Sequence, residues 1–197
     1  MGYKEYFLKN NIKNIEDLFE FAKNIHYGWI DQKKKIHSGV NDANEYSLQS
    51  PMELIKNKIG ICWDMTELYR CWFSTMTNLK FKTYYIFYED KKGCPSHSIL
   101  VFYKDSHVYW FEPWFDNEDF HYRGIHEYKD INELLENFKS IFFKYLIFTK
   151  KVEKDSSINN IYIYKYNKPK YHINGFQMRE HINHSELIKY KNIFQNE

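Results

Sequence analysis

The sequence predicts an α+β fold, in which helices come first, a run of antiparallel strands follows, and helices return near the end. Apolar residues recur at steps of three and four from Ile61 to Leu79, which is typical of an amphipathic helix. From Phe81 the period changes to two, and β-branched and aromatic residues dominate. Aromatic residues make up 20% of the chain, which favours strands and an aromatic core. The length of 197 residues suits one domain, for which we expect a core over residues 1–150 and a C-terminal strand–helix extension over residues 151–197, packed on the same domain.

The N-terminal third is predicted to be helical. Residues 15–25 place apolar side chains on one face, and residues 26–30 break this pattern at Gly28. A polar loop, rich in Asn and Lys, then runs to about Ser50. The segment Ser50-Pro51-Met52-Glu53 combines a capping box with Pro at the first helical position, so a short helix should begin there. It should end near Lys58, with Gly60 as the C-terminal break, and the helix of Cys62 follows at once.

The remaining elements follow from the change of period and from turn residues. A turn is predicted at Lys91-Lys92-Gly93, and Pro113 should end a strand. The strands are predicted at residues 81–89, 97–103, 108–112, 123–128 and 161–166, and further helices at residues 131–147 and 175–187.

Composition argues against several classes of function. Lys and Arg total 28 against 26 Asp and Glu, a net charge of +2, so we expect no nucleic-acid partner. No stretch is apolar enough to span a bilayer and no secretory signal is visible, so a cytoplasmic protein that does not contact membranes is expected. The three cysteines have no close pair, which argues against disulfides, and Cys94-Pro95-Ser96-His97 is only half a metal site, so neither a metal nor another cofactor is predicted.

Cys62 is the candidate nucleophile. It lies at or next to the N-terminus of a predicted helix, where the helix dipole favours the thiolate form. Asp64 works against this, because its carboxylate stands two residues from the sulfur. A buried cysteine that merely packs is the alternative.

A thiol nucleophile needs an imidazole, and a third group to orient that imidazole. Among nine histidines, His97 opens a predicted strand after a turn, at the edge of a sheet. A two-residue turn at Asp105-Ser106 would place Glu112 diagonal to His97 on the same face, about 7–8 Å away between Cα atoms. Asp116 has the same parity, so both carboxylates are candidates. Glu112 is preferred because it ends an apolar strand, where a carboxylate is seldom found unless it is paired with another group. A three-residue turn would move Glu112 to the other face.

An acyl-transfer site also needs donors for the oxyanion. The backbone N–H of Cys62 is one candidate, and the indole N–H of Trp29 is a second, although spacing alone fits an ordinary core Trp equally well. We expect Trp29, Trp63 and Trp114 to contribute to the oxyanion site and the substrate groove.

Three blocks together resemble the transglutaminase-like superfamily of thiol enzymes with a papain-like core. They are Gly60-Ile61-Cys62-Trp63-Asp64, Ser96-His97-Ser98 and Trp110-Phe111-Glu112-Pro113, in which Cys precedes His by 35 residues and His precedes the acid by 15. Further blocks at residues 27–31, 59–64 and 124–128 resemble a little-characterised bacterial group of that superfamily. Glu112 departs from the pattern, because the superfamily usually has Asp there.

The resemblance implies a papain-like core, with the Cys helix packed on an antiparallel sheet, and a triad of Cys62, His97 and Glu112. It implies a thioester intermediate and a protein, peptide or small amide substrate, with hydrolysis of an amide or peptide-like bond as the favoured reaction. Acyl transfer to an amine, and a non-catalytic peptide-binding module on the same fold, remain open.

Overall fold

The computed structural model describes residues 2–39, 41–89, 94–114, 116–117, 120–153 and 155–188, with the backbone only at 116–117 and 120–121. Its helices are α1 (Tyr3–Lys9), α2 (Ile15–Lys23), α3 (Pro51–Asn57), α4 (Cys62–Met76), α5 (Ile131–Phe148) and α6 (Gly175–Asn183). Its strands are β1 (His26–Tyr27), β2 (Trp29–Ile30), β3 (Ile36–His37), β4 (Ile59–Gly60), β5 (Lys80–Tyr88), β6 (Ser96–Lys104), β7 (His107–Glu112), β8 (Asp116–Asn117), β9 (Phe120–His121), β10 (Gly124–Tyr128), β11 (Ile161–Tyr166) and β12 (Glu186–Leu187).

A six-stranded antiparallel sheet in the order β10-β7-β6-β5-β11-β12 forms the centre of the fold. The prediction of an α+β fold with an antiparallel sheet is therefore confirmed. The hairpin of β6 and β7 turns through Asp105 and Ser106, both at positive φ, and pairs Lys104 with His107. This is the predicted two-residue turn, whose right-handed twist matches that of the strands.

The sheet is covered on both faces. Leu100 and Phe102 face one layer, in which α4 packs on the strands with α1, α2 and α3 around it. Ile99 and Val101 point to the other face, where they join a second cluster with α5. Because side chains alternate along a strand, β6 contributes to both cores and is buried along most of its length.

The short helix α3 begins as predicted and ends differently. Ser50 accepts a hydrogen bond from the N–H of Glu53, and Pro51 occupies the first turn. Lys58 adopts the left-handed conformation that ends the helix, at φ 52°, so the prediction that Gly60 supplies this break is wrong. Gly60 is needed for space instead, because a Cβ there would lie 2.7 Å from Cδ1 of Leu54 and 3.0 Å from Cβ of Asp64.

Other boundaries also differ from the prediction. Helix α1 was not predicted, and the expected loop over residues 31–50 contains β3 and a bridge between Asp31 and Tyr46. The predicted helix over residues 175–187 ends at Asn183, where the chain turns into β12. The predicted turn at Lys91-Lys92-Gly93 lies outside the described residues.

The segment after residue 150 supplies strands to the central sheet. Strand β11 pairs along its whole length with β5, from Ile161 opposite Tyr88 to Tyr166 opposite Thr83, and β12 pairs with β11. Helix α6 packs beside β11. Among the described residues, none of the helices has both the length and the apolar character needed to cross a bilayer.

Candidate active site

Cys62 is the first residue of α4, as predicted, and its side chain is half-buried. The helix start is fixed by Asp64, which is buried and accepts hydrogen bonds from the backbone N–H of Ile61 at 2.9 Å and of Gln49 at 2.8 Å, and from the Tyr46 hydroxyl at 2.9 Å. Burial raises the pKa of Asp64 to about 7, and these donors act to lower it. Asp64 therefore ties the loop before α3 to the residue preceding Cys62.

His97 and Glu112 are joined by a hydrogen bond between Nε2 and Oε2 of 2.8 Å. Glu112 is buried, and its two oxygens also accept the indole N–H of Trp110 at 3.2 Å and the backbone N–H of Trp114 at 2.9 Å. These bonds explain how a carboxylate is tolerated at the end of an apolar strand. Asp116, the alternative acid, begins β8, and its side chain lies outside the described part of the chain.

The sulfur of Cys62 and the ring of His97 line one small cavity, together with Glu112 and Trp114. Burial lowers the pKa of His97, but the negative charge of Glu112 and the interaction with Cys62 outweigh it and raise that pKa to about 9. An imidazole with this pKa is protonated at neutral pH. The three residues that the sequence analysis selected therefore lie side by side, although helix and hairpin are far apart along the chain.

Trp114 covers the carboxylate side of this cavity. Its indole N–H donates to the carbonyl of Ala22 at 3.1 Å, and its ring lies 5.2 Å from the ring of Tyr27. Because this N–H is already engaged, Trp114 is a poor candidate for an oxyanion donor. Tyr27 was not selected from the sequence; its exposed side chain lines a groove that Cys62 also lines.

An open groove of about 370 Å³ lies on another side of Cys62. Trp63, one of the residues that the sequence analysis selected, lines it together with Tyr27, Ser96, Lys151 and Arg179. The indole nitrogen of Trp63 is buried and has no hydrogen-bond partner among the described residues. Neither Lys151 nor Arg179 could be selected from the sequence, because nothing local to them indicates which groove they approach.

Trp29 is buried and packs in the same aromatic cluster as Trp63. It does not line the groove, and its indole N–H also lacks a partner within the described part of the chain. Its ring is stacked on that of His37, with 4.2 Å between centroids. The structure thus leaves two buried indole donors, those of Trp29 and Trp63, near the start of α4.

One group of side chains could hold a metal ion, although the sequence analysis predicted none. Asp31, His37 and Glu45 present ligand atoms within 4.8 Å of one another, on the hairpin of β2 and β3 and the loop after it. Nε2 of His37 lies 2.9 Å from Oδ2 of Asp31. This pairing already satisfies the two groups in the absence of an ion.

No family model matches this chain, and no curated protein matches it. What the site does must therefore be argued from its own geometry.

Proposed function

We propose that this protein is a thiol enzyme of the transglutaminase-like type, which forms a thioester on Cys62 and hydrolyses an amide or peptide-like bond. The observation that carries the proposal is the arrangement of one sulfur, one imidazole and one carboxylate. His97 shares a cavity with Cys62 and is bonded to buried Glu112 through Nε2. This is the order of contacts that nucleophilic catalysis by a thiol requires.

Attack requires a thiolate, so the reaction begins with the proton of the Cys62 thiol on His97. The thiolate attacks the carbonyl carbon, a C–S bond forms, and the carbonyl oxygen becomes an oxyanion. The N–H of Cys62, at the start of α4, and one buried indole N–H stabilise that oxyanion. When the C–N bond breaks, the leaving amine takes the proton from His97, and Glu112 holds the ring in place.

The thioester is then resolved by water. His97, now neutral, accepts a proton from the water as its oxygen attacks the carbonyl carbon. The C–S bond breaks, the acid is released, and the imidazolium–thiolate pair is restored. An amine in place of water would give acyl transfer, so the two reactions differ only in the acceptor.

The papain-like core belongs to the same proposal. Helix α4 begins at the nucleophile and packs on β6, which begins next to the imidazole, and β7 ends at the acid. The helix that begins at the nucleophile, the strand that carries the imidazole and the strand that ends at the acid follow one another along the chain. This is the order that the superfamily resemblance implies.

The test is alkylation by iodoacetamide at pH 6, with modified sites quantified by mass spectrometry. Cys62 should react at least tenfold faster than Cys94, which is exposed, and faster still than Cys71, whose pKa burial raises to about 11. The His97→Ala variant should lose the preference for Cys62, whereas His107→Ala, an exposed histidine of β7, should keep it. Equal reactivity of Cys62 and Cys94 would overturn the proposal.

A second measurement follows the thioester itself. Incubation with p-nitrophenyl acetate should add one acetyl group to Cys62, and hydroxylamine should remove it. The Cys62→Ser variant should be acetylated at this position more slowly than the parent. With methylamine present, the ratio of acetate to N-methylacetamide measures how the intermediate divides between hydrolysis and transfer. We expect acetate to dominate.

A further inference from the structure

The groove beside Cys62 is positively charged. Among the described residues, its charged lining residues are Lys151 and Arg179, and none of its lining residues is a carboxylate. This contrasts with the whole chain, in which acidic and basic residues are almost balanced at a net charge of +2. A groove with one sign of charge attracts ligands of the opposite sign.

Arg179 is the more informative of the two cations. It lies on α6 and is exposed, and among the described residues no carboxylate lies within ion-pair distance of its guanidinium group. Lys151 differs, because its ammonium group lies over the ring of Tyr145 at 5.6 Å. Arg179 therefore presents its planar set of donors to the groove, and no acceptor for them lies in the part of the chain that the structure describes.

A second cavity, of about 450 Å³, continues from the first, since Arg179 and Cys94 line both. Its wall is aromatic. Phe87 of β5 lies opposite Tyr162 of β11, with 5.3 Å between ring centroids, and 6.0 Å from Tyr164. The only carboxylate that lines this cavity among the described residues is that of Glu89. Arg179 thus stands between the sulfur and an apolar surface.

On the basis of the proposed function, we infer that the acyl donor carries a carboxylate that pairs with Arg179, and an apolar or aromatic group that packs on Phe87, Tyr162 and Tyr164. A guanidinium group binds a carboxylate through two parallel hydrogen bonds, which fixes the direction of the ligand as well as its position. With the carboxylate held at Arg179, the neighbouring carbonyl carbon is directed toward Cys62 in the shared groove. The substrate class is therefore an acidic peptide or an acid-bearing amide.

Two alkylating agents of nearly equal size test the charge preference without knowledge of the substrate. Iodoacetate is an anion and iodoacetamide is neutral, and the ratio of their rates at Cys62 measures the attraction of the groove for a carboxylate. The Cys94→Ser background removes the other thiol that lines the groove. We expect Arg179→Gln to lower the iodoacetate-to-iodoacetamide ratio at least threefold, and Arg179→Lys to lower it less.

The matched control is Lys144→Gln, which removes one positive charge from an exposed site on α5 outside both cavities. The iodoacetate-to-iodoacetamide ratio of this control should equal that of the parent. A rising NaCl concentration should lower the ratio of the parent toward that of Arg179→Gln. An Arg179→Gln ratio equal to the parent ratio would overturn the inference while leaving the reactivity of Cys62, and hence the proposed function, intact. Loss of preferential alkylation at Cys62 by either agent would instead overturn the proposed function.

Ester substrates extend the test to acylation. p-Nitrophenyl hemisuccinate carries a distal carboxylate, and p-nitrophenyl butyrate is a neutral analogue of similar length. The parent should prefer hemisuccinate in kcat/KM, and Arg179→Gln should lose that preference mainly through KM. An equal preference in both proteins would contradict the role of Arg179.

Discussion

Nε2 of His97 lies 2.8 Å from Oε2 of Glu112, and the carboxylate at that position is also bonded to Trp110 and Trp114. Glu112 is therefore bonded to the imidazole, and Trp110 and Trp114 hold its carboxylate in place. Under the proposed function, this relationship makes Glu112 a positioning residue, whose charge raises the pKa of His97 and whose hydrogen bond orients the ring.

Replacement of Glu112 by Gln should separate the effect of its charge on the pKa of His97 from its effect on the orientation of the ring. Burial lowers the pKa of His97, and the charge of Glu112 is the largest contribution that raises it to about 9. In Glu112→Gln, the effect of burial on the pKa of His97 should dominate. The alkaline limb of the pH profile, where kcat/KM for p-nitrophenyl acetate falls with rising pH, should then move from near pH 9 to below neutral pH. Activity at pH 8 should fall by about 10²- to 10⁴-fold.

The control for this change is Glu127→Gln on β10, which removes an exposed carboxylate that accepts from Tyr109. Its alkaline limb should stay in place. A merely structural role for Glu112 would reduce the amount of folded protein and leave the limb unchanged. The raised pKa also affects stability, since the stabilising contribution of His97 is complete below its ordinary pKa of 6.5 and is lost as the pH rises through about 9.

Replacement of Trp29 by Phe tests the oxyanion donor. The indole N–H of Trp29 lacks a partner among the described residues, so it keeps a free donor for an oxyanion, although its ring does not line the groove. Trp29→Phe should slow acylation by p-nitrophenyl acetate by about 10- to 1000-fold. Alkylation by iodoacetamide, which passes through no oxyanion, should change less than twofold.

The rival donor is Trp63, whose indole N–H is also unpartnered in the described part of the chain. If Trp63→Phe slows acylation and Trp29→Phe does not, the assignment to Trp29 is wrong. Equal losses of acylation and of alkylation in Trp29→Phe would indicate a change in packing instead, because His37 stacks on this ring.

Glu67 should destabilise the protein at high pH. It is buried in α4, Oε1 is bonded to Arg70 at 2.9 Å, and Oε2 has no partner among the described residues. Burial raises its pKa from 4.5 to about 7, with Arg70 opposing. Between these values the folded state binds more protons than the unfolded state, so the contribution of Glu67 to stability falls as the pH rises.

We therefore expect Glu67→Gln to gain stability relative to the parent between pH 4 and pH 8, by roughly 3 kcal/mol at ~1.4 kcal/mol per pKa unit. The measurement is urea unfolding at the two pH values. Arg70→Met is the complementary variant, which leaves Glu67 unpaired and should be destabilising by about 3–5 kcal/mol at pH 8. A difference between Glu67→Gln and the parent that does not change with pH would contradict this account.

Gly28 should tolerate no side chain. A Cβ at this position would lie 2.5 Å from Cδ1 of Ile59 and 2.7 Å from the carbonyl oxygen of His37, and the backbone atom cannot move without opening the hairpin of β2 and β3. Gly28→Ala should cost about 1–3 kcal/mol in the free energy of unfolding. Gly2→Ala, where a Cβ would meet nothing within 4 Å, is the control and should be neutral. A neutral Gly28→Ala would show that this close approach is not tight.

The sequence by itself determined the secondary structure around the site, and it predicted the contact between His97 and Glu112 for a two-residue turn. The helix that starts at Cys62 follows from local spacing, and the register of the β6–β7 hairpin follows from a turn of two residues at Asp105 and Ser106. Because side chains alternate along strands, that register alone puts His97 and Glu112 on one face.

Only the tertiary structure decided how Cys62 meets His97, and which side chains line the groove. The sulfur is carried by a helix on one face of the sheet, whose position depends on packing between α4 and β6 and on the bonds of Asp64 to residues before α3. Arg179 reaches the groove from α6, more than a hundred residues further along the chain. No local period encodes such contacts, because they arise from the way in which separate elements fill a shared core.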